Sequence, residues 1–234
     1  MVKTLVAVPS YKNEDQVAKC KMALADQTAS LDVSVYEDTS SAGFTQNSNK
    51  LLRDGLFANY QYVVLLNQDC YLKPTAVEKM VEFMDAHPKC AIAGIKQLMA
   101  SDPDKIIHGG TTECYPQGIH ITGTVKNGDC TKDRQVPWVN GACMIFRVLD
   151  LLTVGLMDEN MKMFGSDADI SYRARAAGKE CWYIASAECL HEWGVSKGMD
   201  DKMNKQFQMD MLYFRDKWLN GELYKDLNQE YFKG

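Results

Sequence analysis

Three short stretches near the amino end set polar and acidic side chains directly after apolar runs. They are Val8-Pro9-Ser10-Tyr11-Lys12-Asn13, Tyr36-Glu37-Asp38-Thr39-Ser40 and Leu66-Asn67-Gln68-Asp69. An acidic group at such a point can hydrogen-bond a base or a sugar, or hold a divalent cation. A single one is equally a turn former or a helix cap. Three of them at the tips of one sheet favour a site for a nucleotide and a metal. The glycine-rich phosphate cradles are missing. No G-x-x-x-x-G-K-[ST] occurs, no G-x-G-x-x-G follows a strand pattern, and His108-Gly109-Gly110 reads as a turn. A bound diphosphate would then need its charge neutralised by a cation on carboxylate oxygen.

The elements that must position these residues alternate. Residues 3–9, 31–38, 62–66 and 91–95 read as strands, and 13–28, 45–59 and 74–86 as helices, with Pro74 suited to a first helical turn. That order implies an α/β fold with a parallel sheet covered by helices on both faces, and ligands at the carboxyl ends of the strands. After Leu98 the rhythm breaks into a polar stretch rich in glycine and proline, over residues 99–136, with strand-like runs such as 118–125. A strand over 136–146, a helix from Ala168 closed by Gly178 and a strand over 180–184 follow. Met203, Phe207, Met211, Phe214 and Trp218 recur at helical spacing, which predicts a helix packed on the domain. A peripheral membrane or partner contact through that stripe stays open, although the opposite face has no Lys/Arg excess.

Composition narrows the class. The 234 residues carry 31 acidic and 26 basic side chains, a net charge of -5, and 46% hydrophobic residues. Such a chain can bury a real core, and its acidic balance argues against nucleic acid as the main partner. No apolar run approaches the roughly 18–20 residues of a bilayer span, so a cytoplasmic protein is expected. The eight cysteines are scattered with no C-x-x-C pair, which predicts free thiols acting as small hydrophobes rather than zinc ligands or disulfides.

Taken in order, these residues resemble family 2 glycosyltransferases of the GT-A fold, most closely the rhamnosyltransferase-like branch. The resemblance begins with Val8-Pro9-Ser10-Tyr11, Glu37-Asp38-x-Ser40, Gly43-Phe44-x-x-x-x-Asn49 and Leu66-Asn67-Gln68-Asp69. It continues through Trp138-Val139-x-Gly141-Ala142-Cys143 and Gly155-Leu156-Met157-Asp158-Glu159. It closes with Phe164-x-x-Asp167-x-Asp169-Ile170-x-x-Arg173-x-x-x-Ala177-Gly178 and His191-x-x-Gly194, spanning residues 3–197.

The resemblance implies one GT-A domain with a mostly parallel central sheet flanked by helices. Its nucleotide-binding half would be residues 1–98, its acceptor half 99–197, and its C-terminal helical segment 198–234. The implied activity is inverting transfer of a sugar from a nucleoside-diphosphate donor (UDP-, GDP- or dTDP-sugar) to a hydroxyl of a glycan, lipid or protein. Asp69 would be the last residue of a D-x-D-like metal motif and His191 a further ligand of Mn2+ or Mg2+. Pro9, Tyr11, Asp38, Ser40, Asn49, Asn67 and Gln68 would lie on the donor side, with Gly141, Ala142 and Trp193 on the acceptor side.

Asp167 would be the general base. Asn67 stands at the first acidic position of the metal motif, Ala42 at a second Asp of the nucleotide motif, and Ser166 where a Glu precedes the base. Ser166-Asp167-Ala168-Asp169 also fits a capping box, with Ser166 as N-cap and Asp169 reaching back. That leaves Asp167 in the first turn, where the helix dipole favours its ionised form, and a base must start ionised. Arg173 and Arg175 on the same helix are expected to be solvated or paired with Asp/Glu. Two other readings remain. A sugar-1-phosphate nucleotidyltransferase would use a similar sheet but needs a glycine-rich N-terminal signature. A non-catalytic nucleotide-sugar or carbohydrate-binding module would explain Asn67 and Ser166 in place of acids.

Overall fold

The computed structural model describes residues 3–115, 118–192 and 200–229. In chain order the elements are β1 (Thr4–Ser10), α1 (Glu14–Ala25), β2 (Asp32–Glu37), α2 (Phe44–Phe57), β3 (Tyr62–Leu66), β4 (Cys70–Leu72), α3 (Ala76–Ala86) and β5 (Cys90–Met99). There follow β6 (Asp102–His108), β7 (Gly123–Thr124), β8 (Arg134–Gln135), β9 (Cys143–Arg147) and, after a 3-10 turn, α4 (Leu151–Val154). The last elements are α5 (Ser166–Ala176), β10 (Glu180–His191), α6 (Asp201–Phe214), a π turn (Arg215–Leu219) and α7 (Glu222–Gln229).

One sheet runs through the molecule in the order β2-β1-β3-β9-β5-β10-β4, with β6, β7 and β8 at its margins. β1 pairs in parallel with β2 and β3, and β5 with β10. The departures from an all-parallel sheet are β4, β6, β7 and β8 at its margins and, in its centre, β9, which lies antiparallel between β3 and β5. The run Cys-Met-Ile-Phe-Arg has the same buried-strand signature in either direction, so periodicity alone does not orient it. The reversal has a consequence for the site. It brings the amino end of β9 to the edge where β1, β3, β5 and β10 end.

The central strands are buried on both faces, and alternate side chains feed two cores. Leu5, Ala7, Val63 and Leu65 pack with Leu51 and Leu52 of α2 and with Ile170 and Ala174 of α5. Val6, Val8, Val64 and Leu66 pack on the other face with Leu24 of α1 and Met80 and Met84 of α3. A third core joins Cys114, Trp138, Met161 and Tyr172 to Phe214, Trp218 and Leu227 of the C-terminal segment. The apolar stripe is therefore divided between helix α6 and the π turn, with Phe214 and Trp218 turned into the protein. All eight cysteines are buried free thiols.

The excursion after residue 98 is a β5–β6 hairpin followed by irregular chain. The run 118–125 forms only β7 and an isolated bridge between Thr111 and His120, although Ile119, Ile121, Thr122, Thr124 and Val125 favour strands, which shows tertiary context overriding propensity. The strand expected over 180–184 continues to His191, with a register irregularity between Ile184 and Glu188. That extension carries His191 to the strand-end edge.

Candidate active site

The tips of β1, β2 and β3 are laced together by side chains. The Tyr11 N–H donates to Gln68 Oε1 at 2.7 Å, and Gln68 Nε2 donates to the Lys12 carbonyl at 3.1 Å and to Gln16 Oε1 at 2.9 Å. Lys12 and Asn13 both take left-handed backbone angles there (φ 52° and 57°). The Tyr11 ring stays about half exposed, and hydrogen bonding to Ser41, with Lys12 close by, draws its phenol pKa down. Pro9 pairs with Tyr36 across β1 and β2.

Asp38 is buried inside its own loop. Its Oδ1 accepts from the Ser40 N–H, the Ser40 hydroxyl and the Ala42 N–H at 3.0, 3.1 and 3.1 Å, and its Oδ2 accepts from the Gly43 N–H at 3.0 Å. Burial alone would raise its pKa. The Gly43, Ala42 and Ser40 donors outweigh burial and hold the carboxyl well below its ordinary value. Gly43 has φ 97°, and a Cβ there would stand 2.9 Å from the Lys162 carbonyl oxygen, so the turn needs glycine. Asn49 is likewise occupied: its Nδ2 donates to the Met157 carbonyl and Glu159 Oε1, and its Oδ1 accepts from the Met157 N–H, at 2.8–2.9 Å. The structure sets Asn49 between α2 and the chain that leads to α5.

Asp69 and His191 meet. Asp69 Oδ2 lies 3.4 Å from His191 Nε2, with Cys70 Sγ close enough to complete a three-atom group. Carboxylate oxygen and imidazole nitrogen are ordinary ligands of a divalent first-row ion, and both atoms can reach one ion at the usual bond lengths. Cys70 is fully buried, and burial with the neighbouring Cys189 raises its thiol pKa. Asp69 and His191 supply the oxygen and nitrogen donors of the group that Cys70 completes. The next residue, Glu192, clasps this edge to α1 through Gln16 and Lys19, both at 3.0 Å, and to β4 through Tyr71 at 2.7 Å. Those hydrogen bonds, Gln16 and Tyr71 foremost, bring its carboxyl down to about 2.

Asp167 faces the same edge from the other side. Its Oδ2 accepts from the Gly141 N–H at 2.8 Å and its Oδ1 from the Ala168 N–H at 2.9 Å. A Cβ on Gly141 would come within 3.2 Å of that Oδ2, a fit tight enough that the carboxylate would have to shift. Burial raises the Asp167 carboxyl above its ordinary value despite the two backbone donors. Asn67 N–H donates to the Ala142 carbonyl at 2.9 Å, joining the Asp69 tip to the Gly141–Ala142 loop. The acceptor-side residue Trp193, and Gly194 of the same motif, lie outside the described residues.

The capping box does not form. Gly165 (φ 81°) is the N-cap without a side-chain bond, and Ser166 is the first helical residue, with its hydroxyl 2.9 Å from that of Thr45. Asp169 turns the other way and is fully buried. It accepts from Arg173 Nε, Lys217 Nζ and the Trp218 indole at 2.9, 2.7 and 2.8 Å. The two aspartates point to different tasks, as their spacing on a helix requires. Arg173 pairs with Asp169, whereas Arg175 is buried and donates to the carbonyls of Pro137 and Leu227.

Three clusters of this region were not read as such from the sequence, and His108, expected in a glycine turn, closes strand β6. Gln97 and Asn140 are amides joined at 3.0 Å between β5 and the Gly141 loop. His108 and His120 face each other with Nδ1 atoms 2.9 Å apart, and burial pushes both pKa values down. Asp210 accepts the backbone N–H groups of Lys162, Met163 and Phe164 at 3.1, 2.9 and 3.0 Å. Its signal was present: residue 210 sits three after Phe207 and four before Phe214, a carboxylate on the apolar face of the helix.

The mixed α/β sheet flanked by helices is the fold of the GT-A glycosyltransferases among solved structures. A crystal structure of GalNAc-T7 with UDP, GalNAc and Mn2+ superposes with a TM-score of 0.65 at 12% identity, covering 81% of this chain and 44% of that one. S. aureus TarS gives 0.60 at 16% identity over 98% of this chain and 42% of its own, and its 1-349 fragment with UDP gives 0.54 at 16% over 78% and 60%. The chain belongs to the glycosyltransferase-like family 2, whose model matches residues 2–207. An N-acetylglucosaminyl-diphospho-decaprenol L-rhamnosyltransferase, found in two strains of Mycobacterium tuberculosis, is 26% identical over 154 residues, covering 59% of this chain. This chain spans about half (49%) of that relative's length.

Proposed function

We propose that this chain transfers a glycosyl group, with inversion, from a nucleoside-diphosphate sugar to an acceptor hydroxyl. The observation that supports it best is the single edge where Asp69 and His191 converge from one side and Asp167 from the other, bridged by Gly141–Ala142. Asp69 and His191 would hold a divalent ion, Mn2+ or Mg2+, which supplies charge stabilisation for the departing diphosphate. Tyr11, exposed at the β1 tip, would take the base of the nucleotide. Asp38 and Ser40 would act by shaping the loop that borders it, together with Pro9 and Gln68.

Asp167 would accept the proton of the attacking hydroxyl while the new C–O bond forms at the anomeric carbon and the bond to the diphosphate breaks on the opposite face. Its raised carboxyl makes it a stronger base once ionised than an exposed aspartate. Gly141 N–H, holding Oδ2, fixes the direction of the carboxylate. The Mycobacterium relative is named for L-rhamnosyl transfer onto a lipid-diphosphate-linked N-acetylglucosamine, so a lipid-linked sugar hydroxyl leads the acceptors to try. No helix among the described residues is long and apolar enough to cross a membrane.

A thermal-shift panel of UDP-, GDP- and dTDP-sugars with and without Mn2+ tests the donor reading, because a ligand of the native state raises its Tm. The expected result is one nucleotide class that stabilises the protein more with Mn2+ than without. Binding without turnover across glycan and lipid-linked acceptors would favour a non-catalytic module instead.

A further inference from the structure

A backbone N–H of the Gly141–Ala142 loop begins a chain of hydrogen bonds that ends at His191. Ala142 N–H can only donate, and it lies 3.1 Å from Oδ1 of Asn140, so the atom that receives it is the amide oxygen. That oxygen also receives Gln97 across 3.0 Å, which requires the Gln97 nitrogen at that end. Gln97 Oε1 is then turned to His191 Nδ1 at 2.9 Å, and an amide oxygen can only accept. His191 therefore carries a proton on Nδ1 in either charge state, and in the neutral ring Nε2, facing Asp69 Oδ2 at 3.4 Å, holds the lone pair. Gln97 is fully buried and His191 nearly so, so water does not compete for these positions.

We infer that Gln97 and Asn140 form an amide relay that sets the His191 tautomer for cation binding and ties that ligand to the Gly141–Ala142 loop on which Asp167 rests. The inference builds on the reading of Asp69 and His191 as the cation site. Gln97 and Asn140 are positioning residues: neither need touch donor or acceptor. The relay also explains a polar side chain fully buried in β5 two residues after the apolar run Ala91–Ile95. Groups that orient the second nitrogen of a ligating histidine carry a measurable share of metal affinity.

The test is long-range 1H–15N correlation of histidine-labelled, metal-free full chain above the imidazole titration range, followed by Mn2+ titration of the same samples. Wild type is expected to show His191 protonated on Nδ1. Gln97→Met, similar in volume but without hydrogen bonds, should shift it to a mixed or Nε2-protonated form and weaken Mn2+ binding about 10- to 100-fold. Gln97→Glu still accepts from Nδ1 and should keep the wild-type tautomer, an outcome that a merely structural role does not distinguish from Gln97→Met. Should Gln97→Met fail to fold, Asn140→Ala lets the Gln97 amide turn over and should also give a mixed tautomer. An Nε2-protonated His191 in wild type, or a Gln97→Met protein with unchanged tautomer and affinity, would overturn the relay. Undiminished Mn2+ binding by Asp69→Asn would overturn the cation reading instead, and the two failures are separable because the tautomer is read without metal.

Discussion

The two loops that frame the site are braced by the same device used at different range. On the donor side, Asp38 accepts from backbone N–H groups of Ser40, Ala42 and Gly43, all within its own turn. On the base side, the loop before Asp167 is held by Asp210, whose three backbone donors lie 46–48 residues earlier in the chain. Asp169, at the start of α5, is closed by Lys217 and Trp218 of the same C-terminal segment. The donor edge thus carries its own support, while the proposed base depends on a segment that folds over it last in sequence. A carboxylate receiving several N–H groups rigidifies a loop in either case, but only the long-range one couples that loop to another element.

The largest effect expected of this contrast is on chemistry. Asp69→Ala removes the carboxylate of the donor edge without touching either brace, and should lower transfer on the order of a hundredfold or more, measured as nucleoside-diphosphate release, with Tm close to wild type. Next comes Asp210→Ala, which takes the acceptor from three part-buried N–H groups and unties two elements of the fold, and should cost about 3 kcal/mol or more in urea unfolding. Asp38→Ala should cost less, about 2 kcal/mol, because the bonds it loses all lie within one turn. A larger loss for Asp38 than for Asp210 would break the comparison.

The pH dependence of the Asp38 variant sharpens it further. The Asp38 carboxyl is held below its ordinary value, so its stabilising contribution is complete above the unfolded pKa of about 4 and is lost as pH falls through the depressed folded value. The stability gap between wild type and Asp38→Ala should be constant near neutrality and close on strong acidification. Smallest of all is Lys19→Ala, which removes a mostly exposed partner of Glu192 and should change stability by no more than about 0.5 kcal/mol.

The strand tips were legible because buried parallel strands write their apolar runs plainly, and Tyr62–Leu66 was bounded by sequence alone. The convergence of Asp69 with His191 followed from family resemblance and not from spacing, since the two are far apart in the chain. The direction of β9 was not legible, because an apolar pentapeptide pairs equally well either way. Asp169 was misread for a related reason. Its spacing from Ser166 satisfied a local capping pattern, and the groups that claim it, Lys217 and Trp218, belong to an element whose docking no local pattern encodes. Gln97 and Asn140 stayed hidden because a buried amide is explained only by its partners, and those come from three separate strands and loops.

The central claim is that Asp167 is the base of a metal-assisted glycosyl transfer. Its most direct test is the kcat of Asp167→Asn against wild type with the donor that the thermal-shift panel selects, with Mn2+ present. The account predicts a loss of about 100-fold or more with donor affinity unchanged, and a wild-type acid limb whose midpoint lies above the ordinary carboxylate value. An Asp167→Asn protein that transfers sugar as fast as wild type would contradict it.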